Sequence, residues 1–559
     1  MKVLIVGGVA GGASAAARLR RLDENCEIVM FEKGPYISFA NCGLPYYISR
    51  TIAEKAKLLV QTPEKFYGRF HVDVRVWSEV TDIDRENKRV KVLNVKTGER
   101  YEESYDKLIL SPGAVPVKPA IKGLDLDGVF TLRNVPDVEA IDEWLSKREC
   151  SHATVVGGGY IGVEMAENLK LRGLDVTIVE FLDHVINNID SDMARIVQDE
   201  MTSNGVELKL KSGVTAVARE NGRLKVTTTA GNFMTDMLIV CVGVAPNSGL
   251  AQKAGLKLGF KKCICVNDKM QTSDPDIYAV GDATEAVNFV TGQACSIALA
   301  GPANRQGRIA ADQIAGIDSR YKKSQGTSII KAFGKAVAST GLTEREVKAQ
   351  GLSYDKIYLY NNAHAGYYPG KNFITSKIIF ELKTGRLLGG QFVGAQGVDK
   401  TCDVLATAMR ANMTATDLID LELCYAPPFS SAKSTLNMAG FAIENIITGK
   451  VKNFHWEDID KVRETGTLLD VRRRDEFEKG SVPGFINIPL HELRDRLNEL
   501  PAGKPVYVHC LSGLRSYVAC RILSGHGIDC YNIAGGYYMY TVLTGKIYKE
   551  PGACQGNCK

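Results

Sequence analysis

The opening of the chain combines a short apolar run with closely spaced glycines. Residues Val3 to Val6 are all apolar and predict a buried strand, because parallel strands covered on both faces are apolar throughout. The segment ASAAARLRRL further on is typical of a helix. Between them lie four glycines: Gly7, Gly8, Gly11 and Gly12. The same order returns about 150 residues later in ATVVGGGYIGVEMAENL, so the pattern predicts two α/β dinucleotide-binding units.

The second glycine turn satisfies G-x-G-x-x-G through Gly157, Gly159 and Gly162. Glu180 ends the next predicted strand, VTIVE, where a carboxylate binds a ribose 2′-hydroxyl. The segment FLDHVI that follows has no Arg or Lys to bind a 2′-phosphate. The pattern therefore favours NADH as the cofactor of this unit, with NADPH as the alternative.

The first glycine turn is less regular. Gly7 and Gly12 hold the outer glycine places, Val9 occupies the middle one, and Glu32 ends the following strand, EIVMFE. An α/β turn without a ligand is the alternative interpretation. The acid at the end of the strand favours a nucleotide site here as well.

Length and composition limit the classes of protein to consider. A chain of 559 residues predicts three or four domains. Its 45% apolar and 24% charged residues are ordinary for globular protein, and a net charge of +5 is too small for a nucleic-acid-binding protein. We find neither a secretion signal nor an apolar run of membrane-spanning length. We interpret the 14 cysteines as thiols or redox groups of a cytoplasmic protein rather than as a disulfide framework.

Cys42 lies in SFANCGLPYY without a second cysteine close behind it. Cys26, in a strand of alternating burial, is interpreted as a small core residue, and the next cysteine is Cys150. Cys42 must therefore pair with a thiol from outside the chain or cycle through a sulfenic acid. A helix N-terminus or the edge of a bound cofactor could lower its pKa.

The segment TSDPDIYAVGDAT delivers Gly281 and Asp282 at the end of an apolar strand. It resembles the second FAD fingerprint of the flavoprotein disulfide reductases, in which the aspartate binds the ribityl chain. The resemblance implies bound FAD and an NAD domain inserted into the FAD domain. The implied domains are FAD-binding at 1–112 and 248–322, NAD-binding at 113–247 and dimerisation at 323–446.

Two branches of that family use a single cysteine. The branch that reduces peroxide or oxygen has G-x-S-H-G-G in the first turn, whereas this chain has Ala10 at the histidine place, which disfavours an NADH peroxidase or oxidase. SFANCGLPY instead resembles the S-F-x-N-C motif of coenzyme A-disulfide reductases, matched by Ser38, Asn41 and Cys42. The resemblance implies that coenzyme A supplies the missing thiol, as a mixed disulfide that reduced flavin cleaves.

Three positions on the first helix suit an anionic ligand. Ser14, Arg18 and Arg21 are spaced i, i+4 and i+7 and share one helix face, and guanidinium binds phosphate with two parallel hydrogen bonds. They match the coenzyme A contacts of the family. The alternative is a solvated face paired with Asp23 and Glu24.

The segments AHAGYYPGK and CYAPPFSSAK contain clustered aromatic residues, which more often belong to a core than to a site. Both resemble family segments whose tyrosines cross a homodimer interface to the partner's cysteine and flavin. Tyr367 and Tyr425 match those tyrosines. Lys433 matches a lysine that contacts coenzyme A. The resemblance implies a homodimer in which each subunit completes the other's site.

The last part of the chain resembles a rhodanese domain, placed at 459–559 after a linker at 447–458. Asp470 to Phe477 satisfy D-V-R-x-x-x-E-F, and strand VYVHC leads to Cys510 in a loop closed by Arg515. Backbone amides of this loop would favour the thiolate and a persulfide. Since a cysteine phosphatase loop is one residue longer, the spacing favours sulfur transfer over phosphate hydrolysis. His509 is interpreted as a strand residue rather than a general base.

The remaining cysteines do not form paired C-x-x-C motifs, so we predict no metal site. These cysteines are Cys263, Cys265, Cys520, Cys530, Cys554 and Cys558. A redox or surface role for Cys554 and Cys558 stays open.

The sequence thus predicts an α/β fold with two Rossmann-like domains for FAD and NAD, an α+β dimerisation domain and an α/β rhodanese domain. The implied function is reduction of coenzyme A disulfide, coenzyme A persulfide or polysulfide by NADH, with Cys510 supplying sulfane sulfur. Alternatives are a protein that is primarily a sulfurtransferase and a redox-sensing regulatory protein.

Overall fold

A computed structural model describes residues 1–549 of the chain. These residues form two compact units. The N-terminal unit comprises Met1–Asp183 and Gly205–Gly326, and the C-terminal unit comprises His184–Asn204 and the chain from Thr327 onwards. The segment His184–Asn204 thus joins the second unit although it lies within the predicted NAD domain.

The first sheet of the N-terminal unit has five parallel strands and a core of aliphatic and aromatic side chains. In sheet order they are Ile277–Ala279, Lys107–Leu110, Lys2–Val6, Glu27–Phe31 and Asp73–Arg75. Helices Ala10–Leu22 and Ala300–Ile314 pack closely against each other. A Cβ atom at Gly307 would lie 2.3 Å from the carbonyl oxygen of Gly11, so the close approach of the helices requires glycine.

The second sheet of this unit is also parallel, as predicted for the second dinucleotide-binding unit. Its strands, in sheet order, are Val206–Lys209, Asp175–Val179, His152–Val156, Met237–Val240 and Val129–Thr131. Helix Tyr160–Leu171 follows the central strand, and helix Val135–Lys147 begins at a capping box formed by Asn134 and Asp137.

Smaller elements complete the N-terminal unit. Its antiparallel sheets are Ser78–Asp84 with Arg89–Asn94 and Arg100–Ser104, Val214–Glu220 with Arg223–Thr228 and Gly231–Thr235, Ala114–Pro116 with Val244–Pro246, and Ala286–Val287 with Ala294–Cys295. The α-helices are Leu44–Ile48, Pro63–Phe70 and Gly249–Lys253, and the 3₁₀ turns are Asn41–Gly43, Lys55–Leu58, Phe260–Lys262 and Gly281–Ala283.

The first sheet of the C-terminal unit is antiparallel and has five strands. In sheet order these are Ser328–Ala332, Lys335–Gly341, Leu387–Gly394, Phe373–Glu381 and Tyr354–Asn362. The helices are Ser191–Ser203, Glu344–Ala349, Val398–Arg410 and Thr435–Ile447, with a 3₁₀ turn at Thr416–Asp420.

A parallel sheet of five strands follows in the same unit. In sheet order its strands are Lys452–Phe454, Cys530–Ile533, Val506–His509, Thr467–Asp470 and Ile486–Asn487. The helices are Arg474–Glu478, Leu514–Gly525 and Gly536–Leu543, and the 3₁₀ turns are Trp456–Lys461 and Leu497–Glu499.

A buried cluster of charges connects distant segments of the C-terminal unit. Lys377, 1% exposed, lies 2.8 Å from Asp192 and 2.7 Å from Glu344. Lys356 lies 2.8 Å from Glu344 and 2.6 Å from Glu457, which belongs to the Trp456–Lys461 turn. Burial acts to lower the pKa of Lys377, but the carboxylates outweigh it and raise that pKa. The Lys377 ammonium therefore stays charged inside the unit.

None of the helices within residues 1–549 is long and apolar enough to cross a bilayer.

Candidate active site

The first glycine turn opens onto a cavity of about 1380 Å³ in the N-terminal unit. Gly7 has a φ of +99°, and a Cβ atom there would lie 2.1 Å from the carbonyl oxygen of Ser111. At Gly12 a Cβ atom would lie 1.9 Å from the carbonyl oxygen of Gly7. The turn therefore requires glycine at both outer positions, as the pattern predicts. The cavity lining includes Gly7, Gly11, Glu32, Cys42, Gly281 and Asp282.

Glu32 lies beside this turn. The amide of Gly8 donates to Glu32 Oε2 at 3.0 Å and that of Gly34 donates to Oε1 at 2.9 Å. The carboxylate is thereby fixed at the carboxyl end of strand Glu27–Phe31, where dinucleotide folds bind a ribose. The glycine turn, the acid and the cavity together fit an FAD molecule.

The second glycine turn repeats this construction. Gly157 has a φ of +102°, and a Cβ atom at Gly162 would lie 2.0 Å from the carbonyl oxygen of Gly157. Glu180 Oε1 accepts from the amide of Leu182 at 2.8 Å, and Oε2 accepts from Gly158. A Cβ atom at Gly159 would meet nothing within 4 Å, so this side of the turn is open. The residues present fit a second dinucleotide.

Asp282 has a partner that the sequence did not indicate. Arg133 Nη2 donates to Asp282 Oδ2 at 2.8 Å, and both side chains line the cavity. Arg133 follows strand Val129–Thr131 in a segment without any motif, so no sequence signal could have found it.

Cys42 is exposed in the cavity, on the 3₁₀ turn Asn41–Gly43. Ser38 and Asn41 also line the cavity, and the amide of Ser38 donates to the carbonyl oxygen of Gly8 at 2.8 Å. This bond joins the cysteine segment to the glycine turn. All cysteines within residues 1–549 are free thiols, so Cys42 has no disulfide partner there.

The protein groups around Cys42 raise its pKa. Although the side chain is open to the cavity, the surrounding walls desolvate the thiol, which is the largest cause. The charge of Glu164 raises the pKa further, Arg133 opposes it, and Asp282 adds to the rise. The helix that follows has only five residues, Leu44–Ile48. The net effect of the protein groups is thus to raise the pKa of Cys42, whereas the sequence suggested that a helix N-terminus could lower it.

Glu164 was not singled out in the sequence. Tyr46 donates its hydroxyl hydrogen to Glu164 Oε1 at 3.3 Å. Burial raises the pKa of Glu164 to about 7, and the charge of Glu167 adds to the rise. Burial and the charge of Glu164 also raise the pKa of Tyr46. In the sequence, the only feature that could have pointed to Glu164 is its place in the helix Tyr160–Leu171, directly after the second glycine turn.

The predicted anion-binding face of the first helix is partly engaged within the unit. Ser14 Oγ donates to Asn304 Oδ1 at 2.7 Å, and Asn304 lines the cavity. Arg18 Nε donates to Asp312 Oδ1 at 2.7 Å, rather than to Asp23 or Glu24. A ligand at this face would have to compete with Asp312 for the Arg18 guanidinium.

Arg21, the third residue predicted for that face, is exposed, and its guanidinium carbon lies 6.0 Å from the centre of the Phe70 ring.

Tyr367 and Tyr425 lie together on the surface of the C-terminal unit. Their hydroxyl oxygens are 3.0 Å apart, and the residues are 76% and 48% exposed. Phe429 is 70% exposed, and Lys433 is exposed as well. The aromatic cluster is therefore a surface feature and not part of the core.

The Cys510 loop encloses its sulfur. Cys510 is 1% exposed, the amide of Gly513 donates to its Sγ at 3.1 Å, and Ser516 Oγ donates to it at 3.4 Å. Arg515 donates to both oxygens of Glu476, at 2.6 and 2.8 Å. The loop thus supplies one backbone and one hydroxyl donor to the sulfur.

His509 lies in the core beside this loop. Burial lowers its pKa to about 4, and Nδ1 lies 3.1 Å from the carbonyl oxygen of Cys510. The ring is therefore neutral at pH 7, in keeping with the interpretation as a strand residue.

No group of three or more His, Cys, Asp or Glu side chains within residues 1–549 could hold a metal ion. Cys530 Sγ lies 3.3 Å from the carbonyl oxygen of Cys520, inside the core of the last sheet. Cys554 and Cys558 lie outside the described residues.

The comparison with known families decides the affiliation of the chain. A family model described as pyridine nucleotide-disulphide oxidoreductase matches residues 1–307, more than half of the chain. The chain belongs to the pyridine nucleotide-disulphide oxidoreductase family. The dimerisation domain of these oxidoreductases matches residues 328–436, and a rhodanese-like domain matches residues 455–541.

Individual relatives cover between 79% and 98% of this oxidoreductase. The coenzyme A disulfide reductase of Staphylococcus aureus (strain JH9) is 39% identical over 442 residues, which are 79% of this chain and 99% of the relative. The structure of reduced Bacillus anthracis CoADR-RHD is 50% identical, with a TM-score of 0.96 and coverage of 98% and 99%. A NAD-dependent persulfide reductase from A. fulgidus is 35% identical, with a TM-score of 0.91 and coverage of 97% and 100%.

Membership of the pyridine nucleotide-disulphide oxidoreductases confirms several predictions. The fold class, the enzyme class and the C-terminal rhodanese domain are confirmed. The family implies FAD and NAD(P)H as cofactors. The roles of individual residues and the domain boundaries stay predictions.

Proposed function

We propose that this oxidoreductase uses NADH to reduce coenzyme A disulfide, coenzyme A persulfide or polysulfide, with Cys42 as its single redox cysteine. The observation that carries the proposal is the solitary thiol of Cys42, exposed in the cavity of the first glycine turn without another cysteine to pair with. Relatives called coenzyme A disulfide reductase and persulfide reductase support the same chemistry.

When bound, FAD would supply two-electron transfer between the nicotinamide and a disulfide. The glycine turn at Gly7 and Gly12, with Glu32, would hold FAD, and Gly281 and Asp282 would hold its ribityl chain. The turn at Gly157, Gly159 and Gly162, with Glu180, would hold NADH. The absence of Arg and Lys just after Glu180 supports NADH over NADPH.

Cys42 would form a mixed disulfide with coenzyme A and attack the next substrate as a thiolate. Ser38 and Asn41 would position the substrate beside it, and Ser14, Arg18 and Arg21 would bind its phosphorylated end. The exposed pair Tyr367 and Tyr425, with Lys433, would complete the site of the second subunit in a homodimer. The exposure of this aromatic pair supports an interface role.

Cys510 would carry sulfane sulfur as a persulfide, with Arg515 closing its loop. The two donors to its Sγ support this role, because they stabilise an anionic sulfur. Sulfur transferred from Cys510 to coenzyme A would then be reduced at Cys42 and released as sulfide.

Paired serine variants test this division of labour. Cys42→Ser is expected to abolish NADH oxidation with coenzyme A disulfide and with persulfides, a loss of roughly 10³-fold or more because the attacking thiol is removed. Cys510→Ser should spare coenzyme A disulfide reduction and impair sulfane-sulfur transfer. Cys150→Ser, which removes a partly buried thiol that does not line the cavity, is the matched control.

Mass spectrometry of the isolated protein, with and without reductant, supplies an independent readout. We expect a reducible adduct of the mass of coenzyme A on the peptide containing Cys42. Full NADH oxidation by Cys42→Ser would reject the assignment of this cysteine. Equal loss of both activities in Cys510→Ser would contradict the division of labour and favour a protein that is primarily a sulfurtransferase.

A further inference from the structure

The arginine that closes the Cys510 loop already has an anionic partner. Arg515 Nη1 and Nη2 donate to the two oxygens of Glu476 at 2.6 and 2.8 Å. The two side chains are only 30% and 14% exposed, so solvent screens the pair weakly. The positive charge that an incoming anion would meet is therefore largely neutralised.

The arginines of the neighbouring segment are paired as well. Each has a carboxylate within 3 Å: Arg472 with Asp470 at 2.7 Å, Arg473 with Asp475 at 2.9 Å and Arg474 with Glu492 at 2.9 Å. His509 adds no charge at pH 7, because burial lowers its pKa. Within the described loop and this segment, no arginine is left without a carboxylate partner.

This charge balance bears on which sulfur donor Cys510 accepts. Thiosulfate is a dianion and releases sulfite, also a dianion at neutral to basic pH, so its approach to a thiolate needs cationic stabilisation. The persulfide of an organic thiol carries at most one negative charge at the reacting sulfurs. Leu514, in the same loop, is 58% exposed and offers apolar contact to the organic part of such a donor.

We propose that the ion pair between Arg515 and Glu476 makes Cys510 select persulfides of organic thiols as sulfur donors and discriminate against thiosulfate. The inference rests on the proposed function, in which Cys510 carries sulfane sulfur.

The transfer step balances without a further reactant. The Cys510 thiolate attacks the outer sulfur of the donor R–S–SH, and a new S–S bond forms at Cys510. The donor S–S bond breaks, its electron pair leaves with the inner sulfur, and R–S⁻ takes up a proton. Cys510 is thereby oxidised to a persulfide and the donor is reduced to a thiol.

The test compares two donors on the reduced full-length protein. Glutathione persulfide and thiosulfate are supplied at equal concentration, and mass spectrometry follows the addition of one sulfur atom to the Cys510 peptide. We expect the wild type to load at least about tenfold faster from glutathione persulfide. Glu476→Gln frees the Arg515 guanidinium and should raise the ratio of thiosulfate to persulfide loading rates about tenfold.

Two further variants test whether the effect of Glu476→Gln arises from the Arg515 charge. Glu499→Gln removes an acid that pairs with Arg496 elsewhere in the same domain, and it should leave the ratio unchanged. Adding Arg515→Met to Glu476→Gln should abolish the gain, because no cation remains to stabilise thiosulfate. A wild type that loads equally fast from both donors, or an unchanged ratio in Glu476→Gln, overturns the inference alone. Loading from neither donor overturns the sulfur-carrier role itself.

Discussion

The thiol of Cys42 is exposed in a large cavity, whereas the thiol of Cys510 is 1% exposed and receives hydrogen bonds from Gly513 and Ser516. Desolvation and two nearby carboxylates raise the pKa of Cys42. The Cys510 loop instead aims donors at the sulfur. The two regions surround a single cysteine differently: one leaves it open to a large cavity, and the other encloses it and directs hydrogen-bond donors at the sulfur.

The largest effect that separates the two regions is expected at a glycine. Gly12→Ala places a Cβ atom 1.9 Å from the carbonyl oxygen of Gly7, at a cost of about 3 kcal/mol or more. FAD retention, measured by flavin absorbance per protein, should weaken roughly a hundredfold. Sulfur loading of Cys510 should persist.

Gly159→Ala is the matched control, because its Cβ atom would meet nothing within 4 Å. Flavin content should remain that of the wild type. Full flavin content in Gly12→Ala would show that the first turn can relax, and the proposed FAD site would lose its main support.

A change of pH should alter the folding stability of the two regions in opposite directions, through His509 beside Cys510 and Glu164 near Cys42. Burial lowers the pKa of His509 from 6.5 to about 4, so the unfolded state binds its proton first and stability is lost as pH falls from 6.5 to 4. Burial raises the pKa of Glu164 from 4.5 to about 7, so its stabilising contribution is present below pH 4.5 and is lost as pH rises to 7. Each effect amounts to roughly 3 kcal/mol.

Thermal unfolding between pH 4.5 and 7 measures these slopes. His509→Gln should remove the loss of stability towards acid, and Glu164→Gln should remove the loss towards neutral pH. If both substitutions changed the slope of stability against pH in the same direction, the opposite pH dependences predicted for His509 and Glu164 would be wrong.

A smaller effect is expected at the Cys42 thiol itself. Glu164→Gln removes a charge that raises the pKa of Cys42, so the thiolate fraction at pH 8, where Glu164 is ionised in the wild type, should increase. Alkylation of the Cys42 peptide by iodoacetamide should accelerate about threefold. Glu139→Gln, an acid paired with Lys55, serves as control, and equal acceleration there would assign the effect to net charge.

The smallest effect is expected from the hydrogen bond between Ser516 and Cys510. Ser516→Ala removes the donor 3.4 Å from Cys510 Sγ and should slow sulfur loading of Cys510 about twofold. NADH oxidation with coenzyme A disulfide should not change. A loss of that oxidation would show that the two cysteines do not act separately.

The glycine turns show how much of the fold and site the sequence could predict. Val9 breaks the motif at its middle position, yet its φ of −98° and the φ of −71° at Gly159 are both open to ordinary residues. In both turns a Cβ atom at either outer glycine would lie 2.5 Å or less from a carbonyl oxygen, which no side chain tolerates. Local pattern was therefore sufficient for the turns, the strands and the acids that follow them.

The paired partners of the site residues could not be predicted in the same way. Arg133 reaches Asp282 across 149 positions of the chain, and Tyr46 reaches Glu164 across 118. Such pairs depend on how sheets and loops meet in space, which local periodicity does not encode. The same holds for Arg18, whose partner Asp312 lies on another helix.

The buried charge cluster of the C-terminal unit has a consequence for how such fusions can be gained or lost in evolution. Lys356 is neutralised by Glu344 from the dimerisation region and by Glu457 from the appended segment. A gene shortened before Trp456 would encode an ammonium with one of these two counter-ions missing. Loss of the segment from Trp456 onwards would thus favour replacement of Lys356 by an uncharged residue.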